Sequence, residues 1–185
     1  MNTYKSVDKS RISISELMLP SHSNFSGKIH GGYILNLMDQ IAFACASKHS
    51  KMYCVTASVD TVDFLLPIEV GELVTMKASV NFVGRTSMVV GIRVEAENIQ
   101  TGVMKHCNSS YFTMVAKTKE GASVEVPGLI LNDNTEVKRY LKTIKRIETK
   151  KSRQAEFNHQ DFSHQDYLEE LKGYKVKIEL PENHN

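Results

Sequence analysis

Between Pro20 and Asp39 the chain reads PSHSNFSGKIHGGYILNLMD, and this stretch concentrates the residues with chemistry to offer. Asn24 brings an amide donor, Gly31 and Gly32 bring bare backbone, and Asp39 brings a carboxylate. If a helix opens at the glycine pair, its N-terminus presents unpaired N–H groups and a partial positive charge. Such donors suit a negative charge developing on a carbonyl oxygen. The set then contains a base or nucleophile in Asp39, a carbonyl polariser in Asn24 and an oxyanion cradle in the glycines. Taken singly, an Asp is ordinarily a solvated surface group and an Asn a turn residue or cap. Their common register is what points to catalysis.

A helix is required to hold this set, and the periodicity supplies one. From Gly31 to about Ser47, apolar Ile34, Leu37, Met38, Ile41, Ala42 and Cys45 form one continuous stripe. Asp39 lies beside the stripe, flanked by Leu35, Phe43 and Ala46, and is expected to be partly buried or to face something other than bulk water. After Ser47 the period becomes two. Tyr53, Val55, Ala57 and Val59 alternate with residues of mixed polarity. So do Val74, Met76, Ala78, Val80 and Phe82, then Val90, Ile92, Val94 and Ala96, and a further β run covers Val103 to Ala116. Gly71, Gly84 and Gly102 fall near the junctions, where hairpins favour a positive φ. With Arg11 to Leu19 as a first strand, the body predicts an α+β layer: an antiparallel sheet packed on one amphipathic helix.

Composition removes several function classes. The 185 residues include 23 Lys plus Arg and 21 Asp plus Glu, a formal charge of only +2. A chain basic throughout, as a dedicated nucleic-acid binder often is, would look different. No apolar run approaches a membrane span, and the N-terminus lacks the apolar centre of a secretory signal. Cys45, Cys54 and Cys107 are scattered and odd in number, which fits reduced thiols in a cytoplasmic protein. The seven His residues show no metal-ligand spacing, so no metal is expected. Dinucleotide, P-loop and nucleophile-elbow motifs are missing.

The charge is unevenly spread: net −1 over residues 1–137, +7 over 138–153 and −4 over 154–185. The composition shifts near Pro127-Gly128, which divides the chain into a folded body, 1–127, and a C-terminal extension, 128–185. A helix from about Asn134 to Lys150 would place Val137, Tyr140, Leu141, Ile144 and Ile147 on one stripe, with the basic residues as its solvated face. Met18, Met38, Met76, Met88, Met104 and Met114 read as core or as adaptable pocket lining.

At Asn24, Gly27, His30-Gly31-Gly32 and Leu37-Met38-Asp39 the chain resembles the hotdog-fold acyl-coenzyme A thioesterases, in the branch with an Asp on the central helix. Val59-Asp60, Phe64, Pro67, Gly71-Glu72 and Gly84-Arg85-Thr86-Ser87 continue the match, which covers roughly Ile12 to Pro127. The resemblance implies a hotdog fold, a curved antiparallel sheet wrapped around one long central helix, here with a helical C-terminal extension. It implies two subunits joined edge to edge as the minimal active unit, with Asn24 of one chain facing Asp39 of its partner. It further implies a hexameric trimer of dimers and hydrolysis of acyl-coenzyme A to free acid and coenzyme A. Gly84, Arg85, Thr86 and Ser87 would then lie near the coenzyme, with Arg85 a fork for phosphate. No cofactor is expected beyond coenzyme A as part of the substrate, and no nucleic acid or membrane span.

The chemistry places its demand on nucleophile and oxyanion, because a thiol with a pKa near ~8.5 departs without strong acid help. Asp39 would activate water or attack directly, and the Gly32 N–H, with Gly31, would hold the oxyanion. Three rivals remain at this level. They are a non-catalytic acyl-coenzyme A sensor, a hotdog dehydratase whose His loop pattern is missing here, and nucleic-acid binding through 138–153.

Overall fold

Residue patterning translates into layers with few departures. In the computed structural model, residues 4–159, 171 and 173–179 are described. The chain divides into two compact units, Met1–Ile144 and Lys145–Asn185. The first holds a short strand, β1 (Tyr4–Ser6), then β2 (Ile12–Leu17), the long helix α1 (Gly31–Ser50) and β3 (Tyr53–Val59). Three long strands follow, β4 (Glu72–Val83), β5 (Ser87–Asn98) and β6 (Val103–Lys117), then β7 (Gly128–Ile130) and the first part of α2 (Asn134–His159), whose remainder belongs to the second unit.

Five strands form one antiparallel sheet in the order β2-β4-β5-β6-β3, while β1 and β7 pair in parallel as a separate ribbon that the periodicity does not predict. The sheet curls around α1. Register shifts at Thr56/Ser58, Val80/Phe82 and Val94/Glu95 are one cause, since an extra residue on one strand bends and twists it. The core lies between helix and sheet. Ile34, Leu37, Met38, Ile41, Ala42 and Cys45 are buried, as the stripe predicts, against Val74, Met76, Val80, Val90, Val94, Phe112 and Met114. The helix runs three residues past the expected Ser47 and stops at Lys51, whose left-handed φ of 63° caps it through an N–H bond to the Ser47 carbonyl.

Four expectations are corrected. On β3 the buried side chain is Cys54, while Tyr53 and Val59 are exposed. Gly71 and Gly102 take positive φ, but Gly84 does not. A Cβ on Gly84 would instead lie 2.9 Å from Ser87 Oγ, so the residue is small because its turn folds onto itself. Met104 is exposed, unlike Met18, Met38, Met76, Met88 and Met114. On α2, Val137 and Leu141 are also exposed, because the helix turns Glu136 and Thr143 inward. Glu136 accepts from Arg11 Nη2 at 2.8 Å and from the Asn132 N–H at 2.7 Å, and Tyr140 tilts against Phe82. These polar anchors fix the rotation of the helix against its apolar pattern.

In the second unit, α2 continues to His159, beyond the expected Lys150, and Lys145 pairs with Glu148 at 2.7 Å. Most of the acidic stretch, with Tyr167 and Leu168, lies outside the described residues. Among the described residues no helix is long and apolar enough to cross a membrane, and no group of three His, Cys, Asp or Glu is placed to hold a metal ion.

Candidate active site

Asp39 stands on the flank of α1 next to fully buried Met38, and its side chain meets β3. Thr56 Oγ1 donates to Asp39 Oδ1 at 2.5 Å, a short bond of the charge-assisted kind. The pair borders an open cleft of about 520 Å³ lined by Asp39, Gln40, Phe43, Tyr53, Cys54, Val55 and Thr56. Within one protomer Asp39 is exposed and not partly buried: the stripe buries Met38 beside it and leaves this flank open.

Thr56 is the functional candidate that the sequence reading misses. Its signal lay in the β3 alternation, where Cys54 and Thr56 share the parity that faces the helix. The apolar bias of Tyr53, Val55 and Val59 directed attention to the other parity.

Asn24 is held in a turn. Its Oδ1 accepts from the Ser26 N–H at 2.9 Å, from Ser26 Oγ at 2.7 Å and from the Lys28 N–H at 3.2 Å. Its own N–H donates to the Lys28 carbonyl, and Gly27 closes the turn at φ 76°. The turn and catalytic readings are therefore compatible. Because Oδ1 is committed to the turn, the amide orientation is set and the Nδ2 donors are directed away from it.

The two glycines separate in role. A Cβ on Gly31 would lie 3.1 Å from the Phe64 ring, so this position admits the loop that follows β3. Nothing lies within 4 Å of the equivalent point on Gly32. Gly32 and Asp39 are seven residues apart, which puts them on one face of α1 with about 10.5 Å of axial rise between them. His30 precedes the helix, donating its N–H to the His22 carbonyl and accepting from the Tyr33 and Ile34 N–H groups.

Gly84-Arg85-Thr86-Ser87 forms the tight β4–β5 turn, closed by the Gly84 N–H on the Ser87 carbonyl at 2.8 Å. The Arg85 and Thr86 carbonyls accept from Val126 and Ala116, and the Arg85 side chain is exposed. In one protomer the structure thus joins Asp39 to Thr56. Asn24, Gly31, Gly32 and the 84–87 turn are not among the residues lining that cleft.

Known proteins resemble the chain in sequence and fold. The thioesterase superfamily model matches residues 26–103. Protein VdlD of Helicobacter pylori strain 26695 is 41% identical over 146 residues, 79% of this chain and 83% of that protein. An uncharacterised acyl-CoA thioester hydrolase of Bacillus subtilis strain 168, YkhA, is 30% identical over 78% of this chain and 84% of that protein. The chain belongs to the hotdog-fold acyl-coenzyme A thioesterases. Among solved structures, an apo-hexameric acyl-CoA thioesterase superposes on this family member with a TM-score of 0.81 at 36% identity, covering 83% of this chain and 98% of that one. The acyl-CoA hydrolase of Staphylococcus aureus, solved with butyryl coenzyme A and coenzyme A, gives 0.77 at 31% identity over 89% of this thioesterase chain and 98% of its own. Variants of that hydrolase with one asparagine, one aspartate or one threonine changed to alanine have also been solved, with TM-scores against this thioesterase of 0.79, 0.78 and 0.74.

Proposed function

We propose that the protein hydrolyses acyl-coenzyme A thioesters, with Asp39 and Thr56 at the reacting centre. The observation that carries this is the Thr56–Asp39 bond at the mouth of the cleft. The residues replaced in the S. aureus hydrolase support it: asparagine to aspartate is 15 positions and aspartate to threonine 17, the spacing of Asn24, Asp39 and Thr56 here.

On this reading Thr56 fixes the Asp39 carboxylate through one oxygen and leaves the other for the reaction. Asp39 takes a proton from water as it adds to the thioester carbon, or attacks that carbon itself to give a mixed anhydride that water opens. In either course the carbonyl π electrons move onto oxygen, which accepts from the Gly32 N–H, with Gly31 adjacent. Collapse of the adduct expels the coenzyme A thiolate and leaves the carboxylic acid on the water route; on the direct route it leaves the mixed anhydride, which water opens to the acid and the Asp39 carboxylate. Asn24 Nδ2 holds the carbonyl or the water, and Arg85, Thr86 and Ser87 face the phosphates of the coenzyme.

The assembly belongs to the proposal. A homodimer, Asn24 of one chain facing Asp39 of the other, is the active unit, and three dimers make the hexamer. The chain's own groups and water suffice for the step without a further cofactor, and the proposed location is the cytoplasm.

Thiol release from a panel of acyl-coenzyme A esters tests the function. Cys45, Cys54 and Cys107 are all buried, and burial pushes the Cys45 thiol up to about 12, so a thiol reagent reads the product rather than the protein. Asp39→Ala should lower kcat by about 10²–10⁴-fold while leaving assembly intact. Wild-type rates in that variant would remove Asp39 from the reaction.

A further inference from the structure

We infer that the ring pair Phe43–Tyr53 is a length stop for the acyl chain and makes this protein selective for short straight-chain acyl groups. The inference rests on the proposed reading of Asp39 and Thr56 as the reacting end of the cleft. From that end two walls run in the same direction. On the helix, Phe43 is one turn beyond Asp39, an advance of about 6 Å. On β3, Tyr53 is three residues back from Thr56, an advance of about 10 Å. The two elements run antiparallel along this seam, since Ser50 Oγ at the helix end lies 3.3 Å from Cys54 Sγ. Both walls therefore lead away from the Asp39–Thr56 bond and end at the rings.

There the rings meet edge to face, with centroids 5.7 Å apart and planes at 62°, one from the helix and one from the strand that line the cleft. A ring held in such a pair is a firmer wall than a lone aliphatic side chain. Van der Waals contact with the rings takes up about 4 Å, which leaves roughly 2–6 Å of free path. At ~1.3 Å of advance per carbon, that accepts about two to five carbons beyond the carbonyl.

The experiment is a chain-length series, kcat/KM by thiol release on acetyl-, butyryl-, hexanoyl- and decanoyl-coenzyme A. The wild-type protein should fall by about tenfold or more between hexanoyl and decanoyl, since a methylene that finds apolar contact is worth roughly fourfold and one that meets the rings forfeits it. Phe43→Ala and Tyr53→Ala should each raise the decanoyl-to-butyryl ratio by about tenfold. Tyr53 is 62% exposed in the protomer, so its replacement spares the core and serves if Phe43→Ala misfolds, with the oligomer size of each variant read beside its kinetics because β3 borders the proposed dimer seam. A flat wild-type profile to decanoyl, or a ratio unmoved in folded Tyr53→Ala, overturns the length stop. Failure of the wild-type protein on every ester would instead overturn the hydrolase reading on which it rests.

Discussion

At the scale of single residues, the hydroxyl of Thr56 matters through one bond. Asp39 is exposed in the protomer, and the Thr56 Oγ1–Oδ1 bond at 2.5 Å is what holds its carboxylate. Thr56→Val keeps the β-branched shape and deletes the donor. A hydrogen bond to a charged group is worth about 1.5–3 kcal/mol, so kcat should fall about 10–100-fold. KM should change little if the bond orients the carboxylate in the reacting complex. Thr56→Ser should recover most of the rate, which a purely steric role for the methyl would not allow. Steady-state kinetics on the three proteins reads both parameters.

At the scale of elements, the start of α1 divides one sequence motif into two jobs. Gly31 makes room for Phe64, whereas Gly32 has open space where a side chain would begin. If Gly32 serves through its N–H, Gly32→Ala should fold and retain turnover within about threefold, because Ala is a better helix residue than Gly. Gly32→Pro, in the first turn where no intrahelical bond is lost, removes the donor and should lower kcat by about 10²–10³-fold. Equal rates in the Pro and Ala proteins would exclude that N–H from the oxyanion site. The same elements show what patterning can disclose. The α1 stripe was legible because each of its apolar positions faces one sheet. The three long strands were legible because their inward positions are largely apolar, Glu72 on β4 and Asn108 and Ser110 on β6 being the buried polar exceptions. Thr56 was not, since β3 carries its larger apolar residues on the side away from the core. The rotation of α2 was not either: the Arg11–Glu136 ion pair, 125 residues apart in sequence, outweighs the Val137 and Leu141 spacing. Contacts between distant residues leave no periodic trace.

At the scale of the whole molecule, the sheet order decides which groups meet. The sheet terminates in β3 on the side where Asp39, Thr56 and the cleft are located, and in β2 on the other. Asn24, anchored by its turn between β2 and α1, is not among the residues lining the protomer's own cleft. A two-fold dimer made through the β3 side would bring one chain's Asn24 turn toward the other chain's Asp39, each contact occurring twice by symmetry. This arrangement makes a prediction that no single-chain site shares. Asn24→Ala and Asp39→Ala proteins, each depleted in activity, are unfolded together in equal amounts and refolded as mixed dimers. In a mixed dimer one of the two sites carries both substitutions and the other carries neither. Random pairing should therefore restore about a quarter of the wild-type sites, read as thiol release per chain. If Asn24 and Asp39 act from the same chain, every site retains one substitution and mixing restores nothing.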